Sequence, residues 1–304
     1  MIIGALIVTT GLPRVSGVTA LCAPVGVITA GQRTISSFQC AGVSMAGLVV
    51  GKEDKKTERQ FAQNGVVFLR CEDPNADFFA GLQTGLAFMQ GKCDRVFIVP
   101  ADAPLFLPQT VCSLCNTNTN IALPEYKYMQ GFPILLDGKA MAVICAQKKA
   151  ACAVQSVQQH GLQTVSVPVE DPGILLRGKD MSRRKALIRR HNSQLSRPVM
   201  EVALHSGGLL YDSRLSMLLH LVEETRSVRN ACSLMQISYS TAWNMLNHVE
   251  DELGFPLVER MRGGSAGSGS ILTEKGKRLM DAYDGFCEAL NTEAKQLYTK
   301  IFDM

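Results

Sequence analysis

Ser227–Arg260, SVRNACSLMQISYSTAWNMLNHVEDELGFPLVER, divides by its hydrophobic period into a short helix, a break at Gln236–Ser238 and a longer amphipathic helix. In the second helix Ala242, Met245, Leu246, Val249 and Leu253 recur at helical spacing and turn one face inward, which leaves Tyr239, Ser240, Trp243, Asn244 and Asn247 outward. Ser227 and Ser238 stand where an N-cap satisfies free backbone N–H groups, and Gly254 marks the C-terminal stop. The small pair Ala231-Cys232 lets the two helices approach closely. An outward face of hydroxyl, amide and aromatic groups suits phosphates and base edges in a major groove, so the layout is that of a helix-turn-helix.

The residues Ile237-Ser238, Ser240, Ala242, Leu246, Val249-Glu250, Leu253-Gly254, Leu257-Val258 and Arg260 resemble the winged helix-turn-helix of LysR-type regulators. With the continuation Arg262-Gly263-Gly264-Ser265-Ala266-Gly267-Ser268-Gly269, then Leu272-Thr273 and Gly276, the stretch is similar to the DNA-binding domain of the ModE family. The resemblance implies double-stranded DNA as partner. Its contacts would come from Ser238, Tyr239, Ser240, Thr241, Trp243, Asn244 and Asn247 on the second helix, and from Arg260, Arg262, Gly263, Gly264 and Lys275 at the wing. No region remains for the separate molybdate-binding domain of full-length ModE regulators, so molybdate sensing is not carried over.

Upstream, apolar runs at Ile2–Thr9, Val43–Val50, Val66–Arg70, Arg95–Pro100, Asn120–Pro124 and Thr164–Val169 alternate with helical stretches at Ile28–Ala41, Asp54–Asn64, Asp77–Gln90 and Ala140–His160. This alternation predicts an α/β domain, a three-layer αβα arrangement around a mostly parallel sheet, followed by an all-α winged helix-turn-helix domain. Ligands of such sheets bind beyond the carboxyl ends of the strands. The first strand runs into Gly11-Leu12-Pro13-Arg14-Val15-Ser16-Gly17, which reads equally as a phosphate-approaching turn and as a plain glycine turn. The strand Val96–Val99 ends in Pro100-Ala101-Asp102-Ala103-Pro104, a place for a carboxylate that holds magnesium on a nucleotide's phosphates.

Together with Gly131-Phe132-Pro133-Ile134 and Val169-Glu170-Asp171-Pro172-Gly173, these residues resemble the MobA-like nucleotidyltransferases over about residues 1–190. The resemblance implies nucleotide binding by Gly11, Arg14 and Gly17, magnesium at Asp102, and a nucleotide or molybdenum-cofactor-related effector. The sequence departs from the family where charge matters. The family's Ala-Ala before the glycine is Thr9-Thr10, and no lysine appears before Lys52. After Leu175-Leu176, where a second metal aspartate belongs, stands Arg177-Gly178-Lys179-Asp180-Met181. Losing both groups typically costs on the order of a thousandfold in rate. Residual transfer would need Asp180 to take the aspartate's place and Arg14 to reach phosphate. Catalytic residues are therefore not assigned, and enzyme activity stays open.

At 304 residues the chain suits two domains. The expected division is 1–190, a linker at 191–205, and 206–304, with Arg197-Pro198 and Ser206-Gly207-Gly208 as punctuation. Arg177 to Arg197 holds eight basic residues and one acid, a solvated helix face or a surface laid against DNA or the partner domain. Residues 201–304 carry ten Lys/Arg against fourteen Asp/Glu, so DNA affinity must rest on local placement near the helices and wing. After Thr273, the positions Leu279, Tyr283, Phe286, Leu290, Ala294, Leu297 and Ile301 make a near-heptad seam, which packs within the domain or closes a homodimer.

The composition, 46% hydrophobic and 19% charged, is ordinary for a globular protein, with no apolar run long enough for a membrane helix. The apolar start Ile2–Thr10 lacks a basic flank and reads as a strand rather than a signal, which places the protein in the cytoplasm. The ten cysteines then read as reduced thiols, and Cys112 with Cys115 lacks a second ligand pair. The leading expectation is a transcriptional regulator with a degenerate transferase-like domain as sensor or retired enzyme. The alternatives are a working molybdenum-cofactor nucleotidyltransferase that regulates its own supply, and a non-DNA adaptor.

Overall fold

In the structure, a computed structural model, the described residues are all but 14–18, 44, 52–56, 58–59, 62–64, 74, 148–159, 196–199, 265–266 and 303–304. At 179, 182, 262–264, 267–268 and 295 the backbone alone is described. The chain divides into two compact units, Met1–Ser196 and Arg197–Met304.

The strands of the first unit are β1 (Ile3–Val8), β2 (Pro24–Val25), β3 (Ile28–Thr29), β4 (Met45–Gly51), β5 (Val66–Cys71), β6 (Arg95–Pro100), β7 (Ile121–Tyr126), β8 (Met129–Gln130), β9 (Ile134–Asp137) and β10 (Thr164–Pro168). Its helices are α1 (Ala30–Cys40), α2 (Phe78–Met89), α3 (Pro108–Cys115), α4 (Gly138–Ala146) and α5 (Lys185–Ser193). The main sheet runs β10-β7-β9-β6-β1-β4-β5, with β8 paired to β7. β6, β1, β4 and β5 are parallel, as are β7 and β10, while β9 runs antiparallel between β6 and β7.

Side chains alternate across each strand, so the central strands feed two packing layers. Ala5, Ile7, Leu48, Val50, Phe97 and Val99 join Ile35 and Phe38 of α1 and Val111 and Leu114 of α3 in one buried cluster. Phe38 anchors it, with ring centroids 5.5 Å from Phe97 and 5.0 Å from Phe106. Such aromatic pairs contribute about 0.5–1.5 kcal/mol each beyond their buried area. On the opposite face α2 lies so close that a Cβ on Gly85 would sit 2.8 Å from both Leu6 and Val49. Glycine there lets the helix backbone reach the sheet.

The apolar runs fall on strands as their pattern predicts, with ends displaced by at most two residues. The pattern does not reveal α3, the hairpin β2–β3 or the reversed strand β9, because each is short and lacks a clean period. Most of the helix expected over Asp54–Asn64, and residues 148–159 of the one over Ala140–His160, lie outside the described residues. The expected linker at 191–205 is too long at both ends. Helix α5 runs to Ser193 because His191 is tied into the first unit, and strand β11 (Ala203–Ser206) begins before residue 206.

The second unit continues with β12 (Gly208–Asp212), α6 (Ser213–Thr225), α7 (Val228–Met235), α8 (Tyr239–Leu253), β13 (Val258–Gly264), β14 (Gly267–Leu272) and α9 (Glu274–Phe302). To the expected helices it adds two antiparallel hairpins, β11–β12 and β13–β14. The glycine-rich run disfavours helix, and its described residues 263–264 and 267–269 lie on the two strands of an antiparallel ribbon. Leu215, Leu218, Leu219, Val222, Ala231, Cys232, Ala242, Leu246 and Val249 are buried and form the core on which the hairpins are mounted.

Candidate functional site

In the first unit the strand ends converge on Asp102. Ala101 N–H donates to Val8 carbonyl at 2.9 Å, which carries the chain from β6 past the end of β1 and leaves the Asp102 carboxylate half-buried at the sheet's rim. Gly11, at the end of β1, has φ 69°, and a Cβ there would lie 2.5 Å from Phe78 N. Gly11 is thus required by backbone packing against the start of α2, whatever it does for a ligand. Gly131 has a similar reason: its Cβ would meet Ile174 O at 2.4 Å, and Phe132 N–H donates to that carbonyl at 3.1 Å. The Gly131-Phe132-Pro133 segment therefore rests on the turn Pro172–Leu175, which delivers Arg177 to the site.

Arg177 occupies the carboxylate. Its Nη2 lies 2.6 Å from Asp102 Oδ1 and its guanidinium carbon 5.5 Å from the Phe132 ring centre. Asp102 Oδ1 is buried without an aligned hydrogen bond, so the contact is an ion pair off the N–H direction. Asp180 turns away into its own loop, where its Oδ2 caps Arg177 N–H at 3.4 Å. Among the described residues no group of three His, Cys, Asp or Glu side chains could hold a metal.

Beside the pair opens a cavity of about 1250 Å³, walled by Leu12, Val25, Ala30, Met181 and Ile188, with Lys185, Arg189 and Asn192 of α5 also on its lining. A buried polar network fastens this wall. Asp171 Oδ1 lies 2.8 Å from His191 Nε2 and accepts from Gly173 N–H; Oδ2 accepts from Thr110 hydroxyl at 2.7 Å and Leu107 N–H at 2.8 Å. Burial by itself would raise the Asp171 carboxyl, but the hydrogen bonds from His191, Thr110 and Leu107, with the His191 charge, hold it below the usual range. Nearby, Arg33 is fully buried and its Nη1 donates to Ser37, Pro104 carbonyl and Phe106 carbonyl. Burial pulls its pKa down to about 10 while Asp171 pushes back, so it stays charged at neutral pH.

In the second unit Ser227 caps α7 and Gln236 ends it in the left-handed region at φ 57°. Ser238 then caps α8, accepting from Thr241 N–H at 3.0 Å, with its Oγ also 2.8 Å from Ser240 Oγ and 2.7 Å from Thr241 Oγ1. Tyr239, Ser240, Asn244 and Asn247 are exposed along one side of α8. Trp243 is different. It is half-buried, its Nε1 is buried, and Arg260 of β13 covers its ring at 4.5 Å. Trp243 is a platform that joins wing to helix rather than an outward reading group.

The wing is fixed at its base. Glu250 Oε1 accepts from Leu257 N–H at 2.6 Å and Val258 N–H at 3.1 Å, and Ser270 N–H donates to Arg226 carbonyl at 2.9 Å. Thr273 Oγ1 donates to Pro256 carbonyl and accepts from Gly276 N–H, which starts α9 against the same corner. Lys275 lies over Phe255 at 4.8 Å and is exposed.

Residues 14–167 match the MobA-like NTP transferase domain, just over half of the 304-residue chain. The chain belongs to the MobA-like NTP transferase family. A nucleotidyl transferase from Methanothermobacter thermautotrophicus has the same fold at 16% identity and TM-score 0.52, over 62% of this chain and 98% of that one. A 4-diphosphocytidyl-2C-methyl-D-erythritol synthase from Anaerococcus prevotii does so at 14% identity and TM-score 0.53, over 62% and 96%. Beyond the MobA-like domain, residues 214–277 match the bacterial regulatory helix-turn-helix protein, lysR family. Transcriptional regulator ModE of Yersinia pestis is 38% identical over 76 residues, 25% of this chain and 29% of that protein. The DNA-binding transcriptional dual regulator ModE of Escherichia coli K12 is 37% identical over 71 residues, 23% and 27%. The chain thus spans under a third of the length of the curated relatives it matches.

Within the MobA-like domain, Gly11 and Asp102 lie at neighbouring strand ends, while Arg14 and Gly17 fall outside the described residues. The fused unit brings Tyr239, Ser240, Asn244, Asn247 and Arg260 onto α8 and the adjoining wing strand, with Ser238 and Thr241 engaged in the cap. Gly263 and Gly264 lie on β13, as does the backbone of Arg262. Sequence reading missed Arg177 as the partner of Asp102; its signal was an arginine in the segment where the resemblance implies a second metal aspartate. No helix is long and apolar enough to cross a membrane among the described residues.

Proposed function

We propose that the chain is a DNA-binding transcriptional regulator whose MobA-like domain is a sensor that no longer performs metal-dependent nucleotidyl transfer. The ion pair between Arg177 and Asp102 carries this reading of the domain. Transfer on a triphosphate needs a cation held by carboxylates to offset charge at the reacting phosphate. Here a guanidinium takes that carboxylate, Asp180 Oδ2 accepts from Arg177 N–H within its own loop, and Asp102 belongs to no cluster of three or more His, Cys, Asp or Glu side chains among the described residues. Among the described residues, the guanidinium on Asp102 does not fit a magnesium–triphosphate there.

The DNA-binding half of the reading is supported by the helix-turn-helix match and by the exposed polar side of α8. Tyr239, Ser240, Asn244 and Asn247 would meet base edges. Arg260, Arg262, Lys275 and the Gly263-Gly264 backbone would take phosphates, with Ser238 and Thr241 at the helix start. A homodimer reading two half-sites fits α9, whose Phe286, Leu297, Ile301 and Phe302 are exposed. The effector would be a nucleotide or a molybdenum-cofactor-related compound bound in the first unit.

The test is to incubate purified protein with CTP or GTP, magnesium and molybdopterin and to measure pyrophosphate. Release at no more than the uncatalysed rate is expected. Sustained turnover would overturn the sensor reading.

A further inference from the structure

The cavity beside Asp102 has mostly apolar walls. These include Leu12, Val25, Ala30, Met181 and Ile188, and Asp102, Arg177, Lys185, Arg189 and Asn192 also line it. Lys185 and Arg189 are one helical turn apart on α5, hence on the same side of that helix, and both are exposed. On the same helix Asn192 donates its Nδ2 to Val25 carbonyl at 2.9 Å, while its Oδ1 is buried without a partner. Arg177 Nε is likewise a buried donor without a partner, although Nη2 of the same group neutralises Asp102. Unsatisfied buried polar atoms cost about 1–3 kcal/mol each and call for a partner.

We propose that this cavity is a metal-independent receptor for an organic anion with an apolar body, held by Arg177, Lys185 and Arg189 and donating a hydrogen bond to Asn192 Oδ1. The inference rests on the sensor reading and specifies its ligand. The charge that relatives of this fold would draw from a bound cation is supplied here by side chains. Arg177 Nε has no partner and can take an anion's oxygen while Nη2 remains on Asp102. The ligand would also touch α5, the last helix before residues 196–199 and the start of the second unit at Arg197.

The probe is 8-anilinonaphthalene-1-sulfonate, an aromatic sulfonate, titrated by fluorescence into the intact chain in EDTA and again in excess magnesium. The expected result is saturable binding in EDTA, unchanged by magnesium. In the double variant Lys185→Glu/Arg189→Glu, binding should be about tenfold weaker or more. Ala23→Trp, which narrows the cavity from a half-buried wall position, should weaken binding without moving the far-ultraviolet spectrum. A requirement for magnesium, or equal binding by wild type and both variants, would overturn the inference. Operator binding without probe, measured in parallel, separates the two readings: its absence in the wild type defeats the regulator assignment, and its presence beside failed probe binding defeats only the receptor.

Discussion

Arg177 Nη2 sits 2.6 Å from Asp102 Oδ1, so the loop after β6 and the turn after Leu175 are joined by a cation of the protein's own. In a MobA-like fold that carboxylate is the expected seat of a divalent ion. The pair puts a fixed positive charge there instead.

Arg177→Asp tests this substitution of charge. Removing the guanidinium and adding a carboxylate beside Asp102 creates the oxygen-rich pair that a hard cation prefers. Manganese binding followed by electron paramagnetic resonance should be about tenfold tighter or more in the variant than in the wild type. Equal affinity in the two proteins would show that Asp102 is open to metal as it stands.

The exposed side of α8 and its wing platform predict different losses. Ser240→Ala with Asn244→Ala removes surface groups, so a selected operator should bind about tenfold to a hundredfold more weakly, with Tm nearly unchanged. Arg260→Ala should weaken all sequences alike and lower the salt slope by about one unit. Trp243→Ala should lower both Tm and affinity, because the ring packs under Arg260. Gel-shift titrations over a salt series and thermal melts check these effects; a Trp243→Ala protein with wild-type Tm would contradict the platform role.

How far the sequence carried depended on whether a feature was local. The parallel strands follow from Ala5–Val8, Leu48–Val50 and Val96–Val99, whose runs are buried on both faces, and the helix-turn-helix follows from caps and spacing within Ser227–Gly254. Ser238 and Gly254 perform the roles their types suggest. Beyond the short elements without a clean period, the features that were missed are non-local. That α5 belongs to the first unit depends on His191 meeting Asp171, and nothing in the basic run 177–197 declares that contact. The charge reversal after Leu176 was visible, but not that Arg177 reaches back to Asp102. Trp243 lay on the outward side by period alone; Arg260, from the next strand, covers it.

Asp171 and His191 predict a specific acid sensitivity. Both side chains are buried, and breaking such a pair by Asp171→Ala typically costs about 3–5 kcal/mol. The Asp171 carboxyl is held below its ordinary value in the folded state. Its contribution is therefore fully present above the ordinary aspartate range and is lost as pH falls through the lowered folded value. Chemical denaturation from neutral to acid pH should show the gap between wild type and Asp171→Ala closing only at the acid end. A gap already closed at neutral pH would contradict the network.

Helix α9 is divided along its length. Met280 and Tyr283 are buried, Tyr283 hydroxyl donates to Val202 carbonyl at 2.7 Å, and Asp284 accepts from Ser216 hydroxyl at 2.8 Å, so the first turns pack within the unit. Phe286, Leu297 and Ile301 beyond them are exposed. Phe286→Glu with Leu297→Glu should convert a dimer to a monomer in sedimentation equilibrium at micromolar concentration with little loss of Tm. A wild type that sediments as a monomer there would remove the basis for two half-sites.

The most direct test of the regulator account is selection of binding sites by the intact chain from a random duplex library at near-physiological salt. The account predicts enrichment of one two-fold related sequence whose half-sites lie about one helical turn apart. That enrichment should disappear in Ser240→Ala/Asn244→Ala. A library that emerges unenriched, or a preference that survives in the double variant, would contradict it.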